Sequence, residues 1–295
     1  MTELNLYNEV LNSDCIETII KYLDPMDIVN LGRARFIKLK YAKKFREWFN
    51  LSIGRNIDNW FKNYFGKDYD EFRSIMVKCG GVLSGSFVIQ MILGENWPES
   101  DIDIFFPMKD FDRSTNHFHD METFLYKNST IYENEEEGKA PSIRYVDTFD
   151  HKINAIHEYE VKHQPNQMNF KKFQVVGLDL SYSGAIAHLL SKYIDIDICK
   201  NFFSYTQNDY NLTIVHLSSL INKRIIMKNM HIENVDARMI CSGLKRYMKY
   251  KNRGFTFDND NDIVNWKKLH DKSKTISPVD ETIITCKCSM TIPVL

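Results

Sequence analysis

Asp101 and Asp103 alternate with Ile102 and Ile104 in the run Asp101-Ile102-Asp103-Ile104-Phe105-Phe106. A strand has a side-chain period of two, so both carboxylates project from one face and both isoleucines from the other. Paired carboxylates repel each other unless a cation sits between them, and hard oxygen donors of this kind suit magnesium. Just upstream, Ser84-Gly85-Ser86 forms a small-residue turn ahead of an apolar segment, Phe87 to Leu93. A turn that opens a helix exposes unpaired backbone N–H groups, and small residues let a phosphate approach them closely. Ser84 and Ser86 add hydroxyl donors. The stretch from Cys79 to Pro107 therefore predicts a site for a nucleotide triphosphate and a divalent metal.

A Gly-Ser turn, a short helix and an Asp-hydrophobic-Asp strand, in that order, resemble the signature of the nucleotidyltransferase superfamily related to DNA polymerase beta. The resemblance implies an α+β fold, a nucleotidyltransferase-like mixed sheet with flanking helices, and helical regions at both ends of the chain. It also implies an NTP substrate and two magnesium ions. The interval from Ser86 to Asp101 is longer than that pattern and implies an extended loop through Glu95, Trp97 and Pro98.

The alternation recurs at Ile194-Asp195-Ile196-Asp197-Ile198-Cys199. Two strands with carboxylates on one face and isoleucines on the other fit best as neighbours converging on one metal-binding cleft. In the superfamily that the chain resembles, a third carboxylate on a separate strand completes the metal site. Asp195 opens the second strand and is the choice for that role, with Asp197 on the same face as the alternative. Three acidic groups balance two ions held about 3.5–4 Å apart. The implied reaction is in-line attack of an acceptor hydroxyl on the α-phosphorus with loss of pyrophosphate, the third Asp serving as general base.

The elements that position these groups must come from a chain of 295 residues, 43% hydrophobic and 26% charged, long enough for a sizeable core and about two domains. Its 38 basic and 39 acidic residues nearly cancel, so no global basic field makes nucleic acid the default partner. No apolar run reaches membrane-spanning length, and the opening MTELNLYNEV lacks signal-peptide character. The six scattered cysteines suggest a reducing compartment, cytoplasm or nucleus.

Residues 1–50 are expected to be helical. Ile16, Ile19, Ile20 and Leu23 recur at helical spacing after Ser13, Asp24-Pro25 marks a stop and restart, and Ile28, Leu31, Phe36 and Leu39 continue the face. This order resembles an F-box, which implies a Skp1-like adaptor as partner; a helical cap on the main domain explains the same pattern. Residues 51–205 form the expected core. The aromatics from Trp60 to Phe72 read as packing. A helix is predicted over Lys109 to Tyr126, where His117 and His119, two apart, do not form a metal pair. The acidic run Glu133 to Glu137 reads as a loop, and strands are expected at 142–149, 152–159 and 173–180. A helix is then predicted in the first half of the run from Ser183.

From residue 206 the chain is expected to be mostly helical, with apolar stripes at Leu217, Leu220, Ile221 and Ile225 and at Val235, Met239, Leu244 and Met248. Lys245, Arg246, Lys249, Lys251 and Arg253 concentrate positive charge, and Lys245 and Arg246 are candidate phosphate contacts. Cys286-Lys287-Cys288 lacks a matching second ligand pair for zinc. The SGSF, SDIDIF, IDIDICKNFF and KYKNRGF blocks together resemble an uncharacterised family encoded by giant nucleocytoplasmic DNA viruses. That resemblance implies action in the host cytoplasm or nucleus, or association with the virion, and names no acceptor; a protein or an RNA acceptor stays open.

Overall fold

The computed structural model describes residues 13–33, 42–108, 117–128, 153–162, 170–178, 180, 185–188, 190, 194, 196–226 and 237–258. The expected strand at 142–149, the acidic loop, Cys286 and Cys288, and Asp195 lie outside them. The chain divides into two compact units, Met1–Tyr193 with Cys199–Ile214, and Ile194–Ile198 with Val215–Leu295.

The first unit begins with helices α1 (Ser13–Ile20), α2 (Pro25–Arg33), α3 (Ala42–Phe65) and α4 (Tyr69–Lys78), with a 3-10 turn at Gly66–Asp68 before α4. Proline suits the first turn of α2 because it lacks the N–H that would be unsatisfied there. Ile20, Ile28 and Val29 are buried, and α2 packs against α3 and the later helix at 86–93. Ser52 Oγ, on α3, donates to Leu23 O at 2.6 Å and fixes the turn between α1 and α2. Of the apolar positions read as F-box-like, Ile20 and Ile28 are buried inside the chain, Leu23 and Leu31 are half-buried and Ile19 is exposed, while Phe36 and Leu39 lie outside the described residues.

Six strands follow: β1 (Val82–Ser84), β2 (Ile102–Pro107), β3 (Ile153–Lys162), β4 (Phe170–Leu178), β5 (Asn201–Tyr205) and β6 (Tyr210–Ile214). They form one mixed sheet in the order β3-β4-β2-β1-β5-β6, in which β2 and β4 are parallel and the other pairs antiparallel. Helices α5 (Ser86–Leu93) and α6 (His117–Asn128) belong to the same unit, as do the helical residues 185–188 and 190 where a helix was expected, an α+β architecture as predicted.

Leu83, Ile104 and Phe203 share one face by register and are fully buried, as are Ile102, Phe173 and Val175. The aromatics of α3 close that face: Phe61 meets Phe87 at 5.3 Å between ring centroids, Tyr64 meets Phe173 at 5.8 Å and Phe65 meets Phe124 at 5.0 Å. These rings are core, as their helical spacing predicts.

Two expectations need correction. Residues 211–214 are not helical: they belong to β6, where Leu212 and Ile214 alternate with exposed Asn211 and Thr213 at the sheet edge, and only Leu217–Ile221 (α7) coils. β-branched Thr213, Ile214 and Val215 favour the pleated form. Residues 196–199 are not a strand: Ile196 makes an isolated bridge and Asp197–Cys199 is a 3-10 turn. Ile196, Asp197 and Ile198 are all buried, which removes the wet face that alternation requires. α3 runs through residue 50 and β6 pairs with β5 across residue 205, both within the first unit.

The second unit contains α7, the parallel pair β7 (Arg224–Ile225) and β8 (Thr256–Phe257), and α8 (Ala237–Asn252). Leu244, Tyr247 and Tyr250 of α8 are buried, with Tyr247 against Phe257 at 4.5 Å and Tyr250 against Phe255 at 5.5 Å. Among the described residues no helix is long and apolar enough to cross a membrane.

Candidate functional site

β1 and β2 bring the Gly-Ser turn and the Asp-Ile-Asp run together. Their antiparallel register sets Ser84 opposite Asp103. Gly85 follows with φ 74° and ψ −148°, a conformation open essentially to glycine alone. A Cβ at Gly85 would stand 2.6 Å from Asp103 Oδ2, so the carboxylate lies directly against the main chain of the turn. From there α5 begins, and its first turn presents backbone N–H groups without intrahelical partners. It ends at Gly94, whose left-handed φ of 66° closes the last turn.

β2 shows the predicted alternation. Ile102, Ile104 and Phe106 are buried while Asp103 and Phe105 are half-exposed, and Asp101 stands half-exposed at the start of the strand. On the parallel side Asp103 is level with Gln174 of β4, and Gln174 is level with Glu158 of β3. Gln174 Nε2 donates to Glu158 Oε1 at 3.2 Å, and Lys172 Nζ pairs with Glu158 Oε2 at 2.7 Å. The face beside Asp103 thus carries an amide and a carboxylate already neutralised by lysine.

Both hydroxyls of the turn have partners within the chain. Both are buried; Ser84 Oγ donates to Cys199 O at 3.3 Å, and the Ser86 hydroxyl bonds to that of Ser100. Ser100 was not among the sequence candidates, nor was Gln90, which lies buried in α5 and accepts from Trp97 N at 2.7 Å. A single amide in an otherwise apolar helical run was the available signal for Gln90. Lys172, Gln174 and Glu158 stand on distant strands and had none.

The remaining candidates belong to the second unit or fall outside the described residues. Asp197 is buried, and its Oδ1 accepts the Ile226 N–H at 3.0 Å within that unit. Lys245 is exposed and Arg246 half-buried on α8. His119 is exposed and reaches Glu122 at 3.8 Å. Among the described residues no cluster of three or more His, Cys, Asp or Glu side chains could hold a metal ion. Asp101 and Asp103 nevertheless supply two hard oxygen donors on one half-open face beside the glycine cradle, and that donor set fits two ligands of a magnesium ion.

No protein-family model and no curated protein sequence matches the chain. Among solved structures it is similar to a CCA-adding enzyme in complex with CTP, at 12% identity and a TM-score of 0.39 over 71% of this chain and 42% of that one. The Thermotoga maritima CCA-adding enzyme complexed with tRNA gives 13% identity and 0.38 over 71% and 42%. A CCA-adding enzyme in its apo form gives 14% and 0.40 over 71% and 43%. The chain spans less than half the length of these proteins, and the likeness concerns the course of the backbone alone.

Proposed function

We propose that this chain is a magnesium-dependent nucleotidyltransferase that moves a nucleoside monophosphate from an NTP to an acceptor hydroxyl. The observation that carries the reading is the contact of the Asp103 carboxylate with the Gly85 turn, at 2.6 Å from the position of a Cβ. A turn that binds phosphate and a pair of carboxylates that binds a cation serve one ligand only when they lie side by side. Magnesium on Asp101 and Asp103 would neutralise the triphosphate and lower the pKa of the acceptor hydroxyl.

The chain's own residues then have separate tasks. Gly85 and the first turn of α5 bind the phosphates through main-chain N–H groups. Asp101 and Asp103 hold the cation, and the buried Ile102–Ile104 side of β2 keeps the two carboxylates in register. The acceptor oxygen forms a bond to the α-phosphorus, the bond to the bridging oxygen breaks, and pyrophosphate departs with that electron pair. The hydroxyl proton passes to a carboxylate, for which Asp195 is the sequence candidate.

Thermal unfolding with each of the four NTPs, with and without magnesium, tests the reading. A ligand at about one hundred times its dissociation constant adds roughly 2.7 kcal/mol, a shift of several degrees. The expected result is a magnesium-dependent shift with at least one NTP, lost in the Asp101→Asn, Asp103→Asn double variant. A folded protein that responds to no NTP would remove the basis of the proposal.

A further inference from the structure

The loop 94–100 carries the chain from α5 to Asp101, and it is tied down at nearly every step. Gln90 accepts from the Trp97 N–H at 2.7 Å and its carbonyl accepts from Glu95 N at 3.1 Å, while Ser100 N donates to Trp97 O at 2.9 Å. The last tie comes from another strand. Lys171, on β4, donates from Nζ to Trp97 O at 3.1 Å, Pro98 O at 3.0 Å and Ser100 O at 3.3 Å. An ammonium has three N–H donors and no acceptor, so three converging carbonyls match it fully.

Lys171 is itself anchored to the core. Its backbone N–H donates to Tyr64 Oη at 3.2 Å, and that buried hydroxyl donates in turn to Val161 O on β3. A continuous chain of contacts therefore runs from the aromatic layer of α3 through β4 to the Ser100 carbonyl. That carbonyl belongs to the peptide unit whose nitrogen is that of Asp101, so fixing it fixes a planar group next to the Asp101 Cα. Ser100 also bonds to Ser86 at the start of α5, which links the same peptide to the phosphate turn.

We propose that Lys171 is a positioning residue that sets Asp101 beside Asp103 by clamping the three carbonyls of Trp97, Pro98 and Ser100. The inference rests on the reading of Asp101 and Asp103 as metal ligands. Lys171 does not touch the ligand; it removes the freedom of the segment that delivers Asp101.

The test uses Mn2+ as the probe and its dissociation constant, measured by electron paramagnetic resonance on the full chain, as the readout. Wild type, Lys171→Met, Lys171→Arg, Asp101→Asn and the Asp101→Asn, Lys171→Met double variant are compared below their melting temperatures. Loss of a group that orients a metal ligand costs about tenfold or more in affinity, and Lys171→Met is expected to show that loss. Lys171→Arg should recover part of it, and the double variant should bind no more weakly than Asp101→Asn alone. A lysine with a merely structural role would lower the melting temperature and leave the Mn2+ constant unchanged. Affinity of Lys171→Met within about twofold of wild type, or additive losses in the double variant, would overturn the role of Lys171 and leave the metal reading standing. A wild-type chain that takes up no Mn2+ would overturn both. Should Lys171→Met fail to fold, Lys171→Gln, which keeps two donors, carries the same comparison.

Discussion

The tetrapeptide Asp-Ile-Asp-Ile occurs twice, at 101–104 and at 195–198, and its two copies meet different fates. In the first, β2 has β1 on one side and β4 on the other, its isoleucines are buried and its aspartates half-exposed. In the second, Ile196 to Ile198 are buried without alternation, and residues 197–199 coil into a 3-10 turn. Asp197 there exchanges contacts with Ile226: its N–H donates to Ile226 O at 3.4 Å, and its Oδ1 accepts the Ile226 N–H at 3.0 Å. One copy leaves its carboxylates half-exposed, the other spends one on the backbone. Alternation asks for a wet face and a dry one; it becomes a strand only where neighbours supply both.

The strongest way to break this contrast is at Gly85. Gly85→Ala forces a side chain into a glycine-only conformation and against Asp103 Oδ2, and is expected to cost about 3 kcal/mol in urea unfolding and to abolish the magnesium-dependent NTP response. Gly94→Ala, at φ 66° with nothing within 4 Å, should cost only about 1 kcal/mol and keep that response. Equal costs at the two glycines would show that contact with Asp103 plays no part.

Burial is common to the two copies even where geometry is not. Ile104 and Ile198 are both fully buried, and replacing either by Ala is expected to cost about 3 kcal/mol. A cost below about 1 kcal/mol at Ile198 would mean that the 3-10 copy is not packed as described. The aspartates sharpen the comparison further. Asp197→Asn weakens an acceptor of a main-chain N–H and should cost about 1 kcal/mol while sparing the nucleotide response. Asp103→Asn relieves a like-charge pair, should change stability by less than about 0.5 kcal/mol, and should eliminate the response.

The smallest effect concerns the cysteines near each copy. Burial pushes the Cys79 thiol up from 9.0 to about 12, with Asp120 adding to the rise. Its contribution to stability is complete below pH 9 and declines as the pH climbs toward 12, since the unfolded chain loses the proton first. Cys79→Ala should flatten the fall of melting temperature as the pH rises from 9 toward 12. At pH 8 the half-exposed Cys199 should alkylate before Cys79, and the reverse order would contradict the burial of Cys79.

The turn at residues 84–86, α5 and β2 were legible because each obeys a local rule: a small-residue turn, an apolar helical run, a strict period of two. The aromatics of α3 were legible as core for the same reason. The neighbours of Asp103 were not. Gln174, Glu158 and Lys172 come beside it through strand pairing across more than fifty residues of sequence, and no spacing announces such a register. Lys171 was equally hidden, since a lysine next to another lysine on a half-exposed strand looks like a solvated pair. Ser84 and Ser86 were visible as small polar residues, but only packing revealed that Cys199 O and Ser100 occupy their hydroxyls.

The sequence alone determined where a glycine must stand, that Asp101 and Asp103 share a face, and that Ile102 and Ile104 lie on the other, because backbone sterics and side-chain period act over a few residues. The tertiary structure alone decided which of the two Asp-Ile-Asp-Ile copies becomes a strand, what stands beside Asp103, and which lysine holds the loop before Asp101. Those outcomes depend on which strands pair and on how much water each face retains, and both are properties of the assembled chain.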